Sequence, residues 1–314
     1  MMFMMTILSC KIDDIPDLDF KQEMRDFVGE IAAYARITDP DFIIIPQNGI
    51  ELVTNDGEEN GELNINYLNA IDGNGQEDLF YGYDKDDQAT SSGDNSYLRS
   101  FLDKSKNSGN AILVTDYCST TSKMANSYTR NNNAGYISFA ADHRELDNIP
   151  AYPTTIFNEN NNNITSLSQV RNFLYLINPG KFTSKTDLIK TVTATNYDLF
   201  IMDMYFNETT EFTSGEISQL RNKANGGRRL VICYMSIGEA EDYRYYWQTS
   251  WEPGDPAWLD EENRDWEGNY KVRYWDPEWK KIIFGNDNSY LKKILNAGFD
   301  GVYLDIIEAF EYYE

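Results

Sequence analysis

The chain has 314 residues, 41% apolar and 14% aromatic, with a formal net charge of −24 and a pI near 4.3. That length can bury one large core or two smaller ones, and so acidic a surface argues against nucleic acid as a partner and for a neutral or cationic substrate. The three widely spaced cysteines (Cys10, Cys118 and Cys233) match neither a zinc motif nor a disulfide framework, and one histidine, His143, leaves no His-based metal cluster or triad, so no metal and no cofactor are expected.

Residues 1–10, MMFMMTILSC, are apolar and turn polar at Lys11. Ile7-Leu8-Ser9 before Cys10 resembles the end of a bacterial lipoprotein leader, with Cys10 the lipidated residue, although no Lys or Arg precedes the apolar run. The expectation is an extracytoplasmic, outer-membrane or cell-surface lipoprotein, monomeric, touching the membrane only through that anchor, with residues 1–19 as leader and tether. No other segment has the length to span a bilayer.

From Phe20 to about Arg36, Met24, Phe27, Val28, Ile31, Ala32 and Ala35 recur at threes and fours, predicting a helix. Residues 41–49 read as a continuously apolar strand, typical of a parallel sheet covered on both faces. A loop with a short helix near 63–71 follows, then a strand-end loop at 77–83. Next come a helix at 95–108, a strand at 111–117, a helix at 122–131 and a strand at 135–140. The polar, Asn-rich stretch at about 156–168 reads as a linker. Beyond it lie strands at 173–177, 198–204 and 229–235, with helices at 184–193 and 213–223 between them. An aromatic insertion at 243–269, a short strand at 272–276, helices at 277–284 and 289–296, and a last strand at 300–306 complete the pass. Three strands before the linker and five after it make eight, each followed by helical sequence except the last. The helix at 20–36 has no strand before it, so closure requires it to follow strand 300–306 in space. This predicts an α/β fold, a (β/α)8 barrel over residues 20–314. The glycine-rich phosphate turn of an open dinucleotide-binding sheet is absent from the first strand end.

The segments SIGEAEDYRYYW (236–247), NYKVRYWDPEW (269–279) and GFDGVYLDIIEAFE (298–311) resemble glycoside hydrolase family 114, the endo-α-1,4-polygalactosaminidases. DFIIIPQNGIEL (41–52) and EDLFYG (77–82) resemble it too. Some relatives were once labelled as related to cysteinyl-tRNA synthetase, but nothing here resembles a synthetase nucleotide site. In the family the segment similar to 171–311 comes first and the one similar to 20–145 follows, so the halves here are exchanged, as in a circular permutation. The resemblance implies a secreted barrel enzyme cleaving α-linked, galactosamine-containing polysaccharide.

Glycoside hydrolysis needs two carboxyl groups flanking the bond. Asp305, abutting an apolar strand, is the expected nucleophile or base, and the resemblance makes Glu77 its partner acid. Glu239, in a Ser-Ile-Gly-Glu turn, is the alternative acid. Asp203, Gln47, Asn48, Asp116, Tyr117, Tyr243, Arg244, Trp247, Tyr274, Trp275 and Asp276 are expected to bind substrate. The competing reading is a surface lipoprotein that binds glycan without cleaving it. In that case Asp305 and Glu77 would stand far apart or be tied up in salt bridges.

Overall fold

The computed structural model describes residues 16–314, so the expectations for Cys10, the leader and most of the tether lie outside the described residues. Among the described residues no helix is long and apolar enough to cross a membrane.

Helix α1 (Phe20–Thr38) opens at Asp19, whose carboxylate accepts the Gln22 amide at 2.9 Å. Its buried stripe runs Met24, Phe27, Val28, Ile31, Ala32, Ala35, as the spacing predicts. Strands β1 (Ile43–Pro46), β2 (Gly73–Glu77), β3 (Ala111–Tyr117) and β4 (Ile137–Ala141) follow, with α2 (Ile65–Ala70), α3 (Ser92–Asn107) and α4 (Thr121–Ala134) between them. After 142–172 come β5 (Phe173–Tyr175), α5 (Lys185–Thr193), β6 (Leu199–Met202), α6 (Ser214–Leu220) and β7 (Leu230–Ser236). An antiparallel excursion of β8 (Glu239–Glu241), β9 (Leu259–Glu262) and β10 (Asn269–Val272) interrupts the pattern before α7 (Pro277–Ile283), α8 (Tyr290–Ala297) and β11 (Gly301–Asp305).

The parallel strands pair in two sheets, β1-β11-β7-β6-β5 and β2-β3-β4, which makes eight staves. The sheets meet at two seams. Gln47 bridges Gly75 in parallel register, with the Asp72 amide donating to Ile44 O at 2.9 Å, and this joins β1 to β2. At the other seam β4 lies beside β5, with the Phe139 and Phe173 rings 5.7 Å apart. The result is a permuted (β/α)8 barrel. Helix α1 packs between α8 and α2, in the place that follows β11. The Tyr274 hydroxyl donates to Phe20 O at 2.7 Å, Lys280 pairs with Glu30 at 2.8 Å, and Lys21 pairs with Glu314 across the two ends of the described chain.

The eight-strand count is right, but two of its members are corrected. Residues 73–77, read as loop, form β2. Residues 272–276, read as a stave, do not: Val272 ends β10 in the small antiparallel sheet, and Asp276 caps α7. The β4–β5 connection contains no α-helix among the described residues, against the expectation that each strand leads into one.

The Asn-rich segment is fastened to the N-terminal face of the barrel. Asp198, just before β6, pairs with Lys223 at 2.6 Å, both side chains fully buried. The same carboxylate accepts the Asn160 side-chain amide at 2.8 Å and the Arg171 backbone amide at 2.9 Å. Ile164 is fully enclosed, its amide donating to Arg228 O at 2.9 Å. Removing one partner of a buried ion pair strands the other charge in a low-dielectric interior. Lys223→Met is therefore expected to lower stability by about 3–5 kcal/mol in urea unfolding. A loss under about 1 kcal/mol, the size of an exposed pair, would mean that this pair does not hold the segment down.

Candidate active site

Three strand ends converge at the C-terminal mouth: β1 delivers Gln47, β2 ends at Glu77 and β11 ends at Asp305. The Gln47 amide nitrogen donates to Glu77 Oε2 at 2.9 Å and to Asp305 Oδ1 at 2.9 Å. Its own oxygen accepts from the Tyr175 hydroxyl at 3.0 Å, which fixes which way the amide points. The Asn48 amide donates to the same Glu77 oxygen at 3.2 Å, while its oxygen accepts the Glu77 backbone amide at 3.1 Å. Phenols close the remaining sides. Tyr117 from β3 donates to Glu77 Oε1, and Tyr234 from β7 donates to Asp305 Oδ2 at 2.5 Å.

Burial, then the Glu77 charge, pushes the Asp305 carboxyl up to about 7, against the opposing effect of the Tyr234 hydrogen bond. Burial, aided by these carboxylates, holds the Tyr117, Tyr175 and Tyr234 hydroxyls well above the usual phenol range, so they remain neutral donors.

The backbone turns the same way after each polar strand end. Asn48 follows Gln47 at φ 57°, Asp78 follows Glu77 at φ 59°, and Ile306 follows Asp305 at φ 60°. A left-handed conformation is costly for a β-branched residue such as Ile306, and such strain gathers where function over-determines the backbone. The turn beyond Ile306, a 3-10 helix over Ile307–Tyr312, fits because two glycines make room. A Cβ on Gly238 would meet Ile306 O at 2.2 Å, and one on Gly49 would meet Ile307 Cγ2 at 2.7 Å.

The other expected residues lie around this pair or away from it. Glu239 is buried at the base of the excursion, accepts from Asn263 at 2.8 Å and Tyr312 at 2.9 Å, and its charge is felt at Asp305. Burial raises its proton affinity. Asp203 and Arg244 form a two-pronged pair, 3.0 and 2.6 Å, and Arg244 also holds Glu241 at 2.6 Å, with Tyr243 donating to Glu241 at 2.8 Å. This network ties the excursion to the end of β6. Trp247 packs on Tyr270 and Trp251, with ring centroids at 4.8 and 5.3 Å.

Asp116, Tyr274, Trp275 and Asp276 do not meet the Asp305–Glu77 pair. Asp116 is fully enclosed and takes four donors: the Phe80 and Tyr81 amides at 2.8 and 3.2 Å, Ser127 at 2.5 Å and Asn131 at 3.1 Å. It anchors the loop after β2. Tyr274 and Trp275 pack on Phe20 and Tyr313, fastening α1. Asp276 accepts the Glu278 amide at 2.7 Å as the cap of α7. Sequence reasoning missed Tyr175, Tyr234 and Glu308. The two tyrosines lie inside apolar strands and carry no local signal. Glu308 does carry one, a second carboxyl three residues past Asp305.

Comparison with known proteins bears on this site. An uncharacterised protein of Methanocaldococcus jannaschii is 40% identical over 185 residues, covering 57% of this chain and 49% of the relative. Uncharacterised proteins of Thermotoga maritima and Deinococcus radiodurans are 42% and 39% identical over 123 residues, each covering 39% of this chain and 36% and 37% of the relative. The chain thus aligns with at most about half the length of these curated relatives. The profile of glycoside-hydrolase family GH114 matches residues 158–313, a stretch that includes Asp305 and Glu239 and leaves Glu77 in the other half. A linear profile can follow only one of two exchanged halves, and the barrel brings the other back beside it: the chain belongs to glycoside-hydrolase family GH114.

Proposed function

We propose that the protein cleaves an α-linked, galactosamine-containing polysaccharide by means of Asp305 and Glu77. The observation that carries this reading is the Gln47 amide nitrogen, 2.9 Å from an oxygen of each carboxyl. Neither carboxyl is consumed by a salt bridge among the described residues, as a binding module would allow. The cations of neighbouring loops are engaged elsewhere, Arg144 by Asp78 and Asp86 and Arg244 by Asp203 and Glu241.

One amide nitrogen in contact with both groups draws them close, which supports a retaining course, where the carboxyls stand about 5 to 5.5 Å apart. One carboxylate oxygen attacks the anomeric carbon while the other carboxyl gives its proton to the departing glycosidic oxygen. A glycosyl ester forms, and the second group then takes a proton from the water that hydrolyses it. Gln47 contributes by keeping both groups at fixed separation. A chain with net charge −24 also draws a polymer of charged amino sugars toward it. The reading extends to surface anchoring through Cys10, and Cys10→Ala is expected to move the protein from the membrane fraction to the soluble one. Equal partition of both forms would end that part of the reading.

Asp305→Asn and Glu77→Gln are each expected to lower kcat on de-N-acetylated α-1,4-galactosamine polymer by at least about a hundredfold without loss of fold. The first product released should carry the α anomeric configuration by NMR, and a β product would overturn retention. If the intact protein releases nothing from either the free-amine or the N-acetylated polymer, the substrate assignment fails.

The site also sets the pH dependence. The departing oxygen needs a protonated carboxyl, and burial together with the neighbouring carboxylates lets Asp305 hold a proton. Raised to about 7, Asp305 keeps that proton below about 7 and loses it as pH rises through it. The kcat/KM profile should therefore fall about tenfold per pH unit above that point. A rate that instead climbs through 7 would mean Asp305 works as a solitary ionised group.

A further inference from the structure

Trp266 stands on the turn between β9 and β10 and is 60% exposed, whereas Trp247, Trp251, Trp258, Trp275 and Trp279 are buried or half-buried. The turn beneath it is fixed from within. The Asn263 amide donates to Asn269 O at 2.7 Å, the Asn269 amide to Trp266 O at 3.2 Å, and the Asp265 amide to Asn263 Oδ1 at 3.0 Å. Gly268, at φ 83°, lets the turn close against the end of β8, since a Cβ there would meet Asp242 Oδ1 at 2.8 Å. Single exposed apolar side chains are ordinary. This one is distinguished by how its turn is joined to the barrel mouth. Asp305 lies in register with Ser236 at the end of β7. The Ser236 hydroxyl donates to Glu239 O at 3.1 Å, Glu239 Oε1 accepts the Asn263 side-chain amide at 2.8 Å, and Asn263 O accepts the Trp266 amide at 3.3 Å. Tyr312, from the turn after β11, donates to the same Glu239 oxygen at 2.9 Å. An unbroken series of contacts, polar throughout, thus runs from Asp305 to the turn that carries the ring.

The strand ends follow one another in the order β7, β11, β1, β2. Asp305, Gln47 and Glu77 occupy the last three, and the excursion bearing Trp266 rises from β7. A chain seated on the carboxyl pair has this turn beside it on the β7 side. We propose that Trp266 is an outer sugar-binding platform: a polysaccharide held at Asp305 and Glu77 extends past the end of β7, and a sugar beyond the reacting ones lays the C–H face of its ring on the indole. Pyranose rings carry such apolar faces between their hydroxyls, and a flat aromatic ring with a polar edge matches them. Asp265 and Glu267, both exposed, flank the indole with acceptors for the hydroxyls of the same sugar. Because the turn is already ordered, stacking on it costs little conformational entropy. A disaccharide on the carboxyl pair ends before this platform, whereas a polymer reaches it. This inference rests on the reading of the mouth as sugar-binding and extends it to the length of glycan gripped.

The experiment compares α-1,4-galactosamine polymer with its disaccharide. Trp266→Ala is expected to raise KM for the polymer about fivefold or more with kcat nearly unchanged. Trp266→Tyr, which keeps a flat ring, should recover most of that loss. In an Asp305→Asn background, where the polymer is not consumed, calorimetry should show the same weakening of polymer binding on adding Trp266→Ala, and unchanged affinity for the disaccharide. Equal polymer affinity with and without the indole overturns the assignment. An equal loss on the disaccharide also overturns it, because the substitution would then have disturbed the mouth itself. Binding is read apart from cleavage, so the two readings fail separately. A protein that grips polymer through Trp266 but cleaves nothing defeats the hydrolase reading alone. One that cleaves polymer with the same KM after Trp266→Ala defeats this inference alone.

Discussion

The site depends on one side-chain amide with two protons to give. Gln47 hands one to Glu77 and one to Asp305, and Tyr175 locks the other end. Nothing charged could do the same work. A lysine or arginine there would neutralise the pair and hold both carboxyls ionised, whereas a neutral donor positions them and lets burial raise one toward 7. This places a demand on the fold, because β1 must lie between β2 and β11, with Gln47 level with the end of β11 and its side chain reaching the end of β2. The parallel register of Ile43–Pro46 against Gly301–Leu304 and the single bridge from Gln47 to Gly75 meet that demand.

Those neighbours come from opposite ends of the polypeptide, so the exchanged order of the halves has a physical cost at one place only. Strands β1 and β11 are adjacent stabilising partners whose connection passes through the two ends of the described chain. Helix α1 covers that junction from outside. The Tyr274–Phe20 hydrogen bond, the Trp275 and Tyr313 rings around Phe20, and the ion pairs of Lys21 and Lys280 hold it there. Arg25 of α1 also donates to Leu52 O at 2.9 Å, within the loop that leaves the site. The aromatic residues that resemble a groove lining in sequence are the clasp that lets noncovalent contact stand in for a covalent connection.

This explains how far the sequence could be read. Helix α1 and strands β1, β3, β6, β7 and β11 announce themselves by periodicity or continuous apolar runs. Strand β2 does not, because its inward residue must be Gly75: a Cβ there would lie 2.0 Å from the Tyr303 hydroxyl, whose ring fills the barrel at that level. A strand written Gly-Asn-Gly-Gln-Glu has no hydrophobic signal to detect. The opposite happens at Val272-Arg273-Tyr274-Trp275, where apolar residues serve helix docking rather than a stave. The two misreadings cancel in the count of eight. Asp305 and Glu77 stood out as carboxylates at strand ends or by resemblance, but their separation is a property of register across the β1 seam. Asp116 shows why an Asp on an apolar strand is an ambiguous signal. It occupies the corresponding place on β3, yet four donors from the loop and α4 satisfy it completely.

Asp116 and Glu308 show two outcomes of burying a carboxyl. Both stand near the barrel mouth, Asp116 fully enclosed and Glu308 with its Oε2 enclosed, and burial raises the proton affinity of both. Asp116 is repaid within the protein, donor by donor, and its surroundings are ordinary backbone and hydroxyl groups. Glu308 has an oxygen left over, sits on a turn reached through a left-handed Ile306, and shares its field with two further carboxyls. Selection for stability alone would remove each of these features: glycine would relieve the strained φ at 306, and an apolar residue at 308 would end the repulsion. They are compatible with a folded barrel because the rest of the molecule over-determines this corner, through the Gly49 and Gly238 contacts on the turn and the Gln47 bridge beneath it.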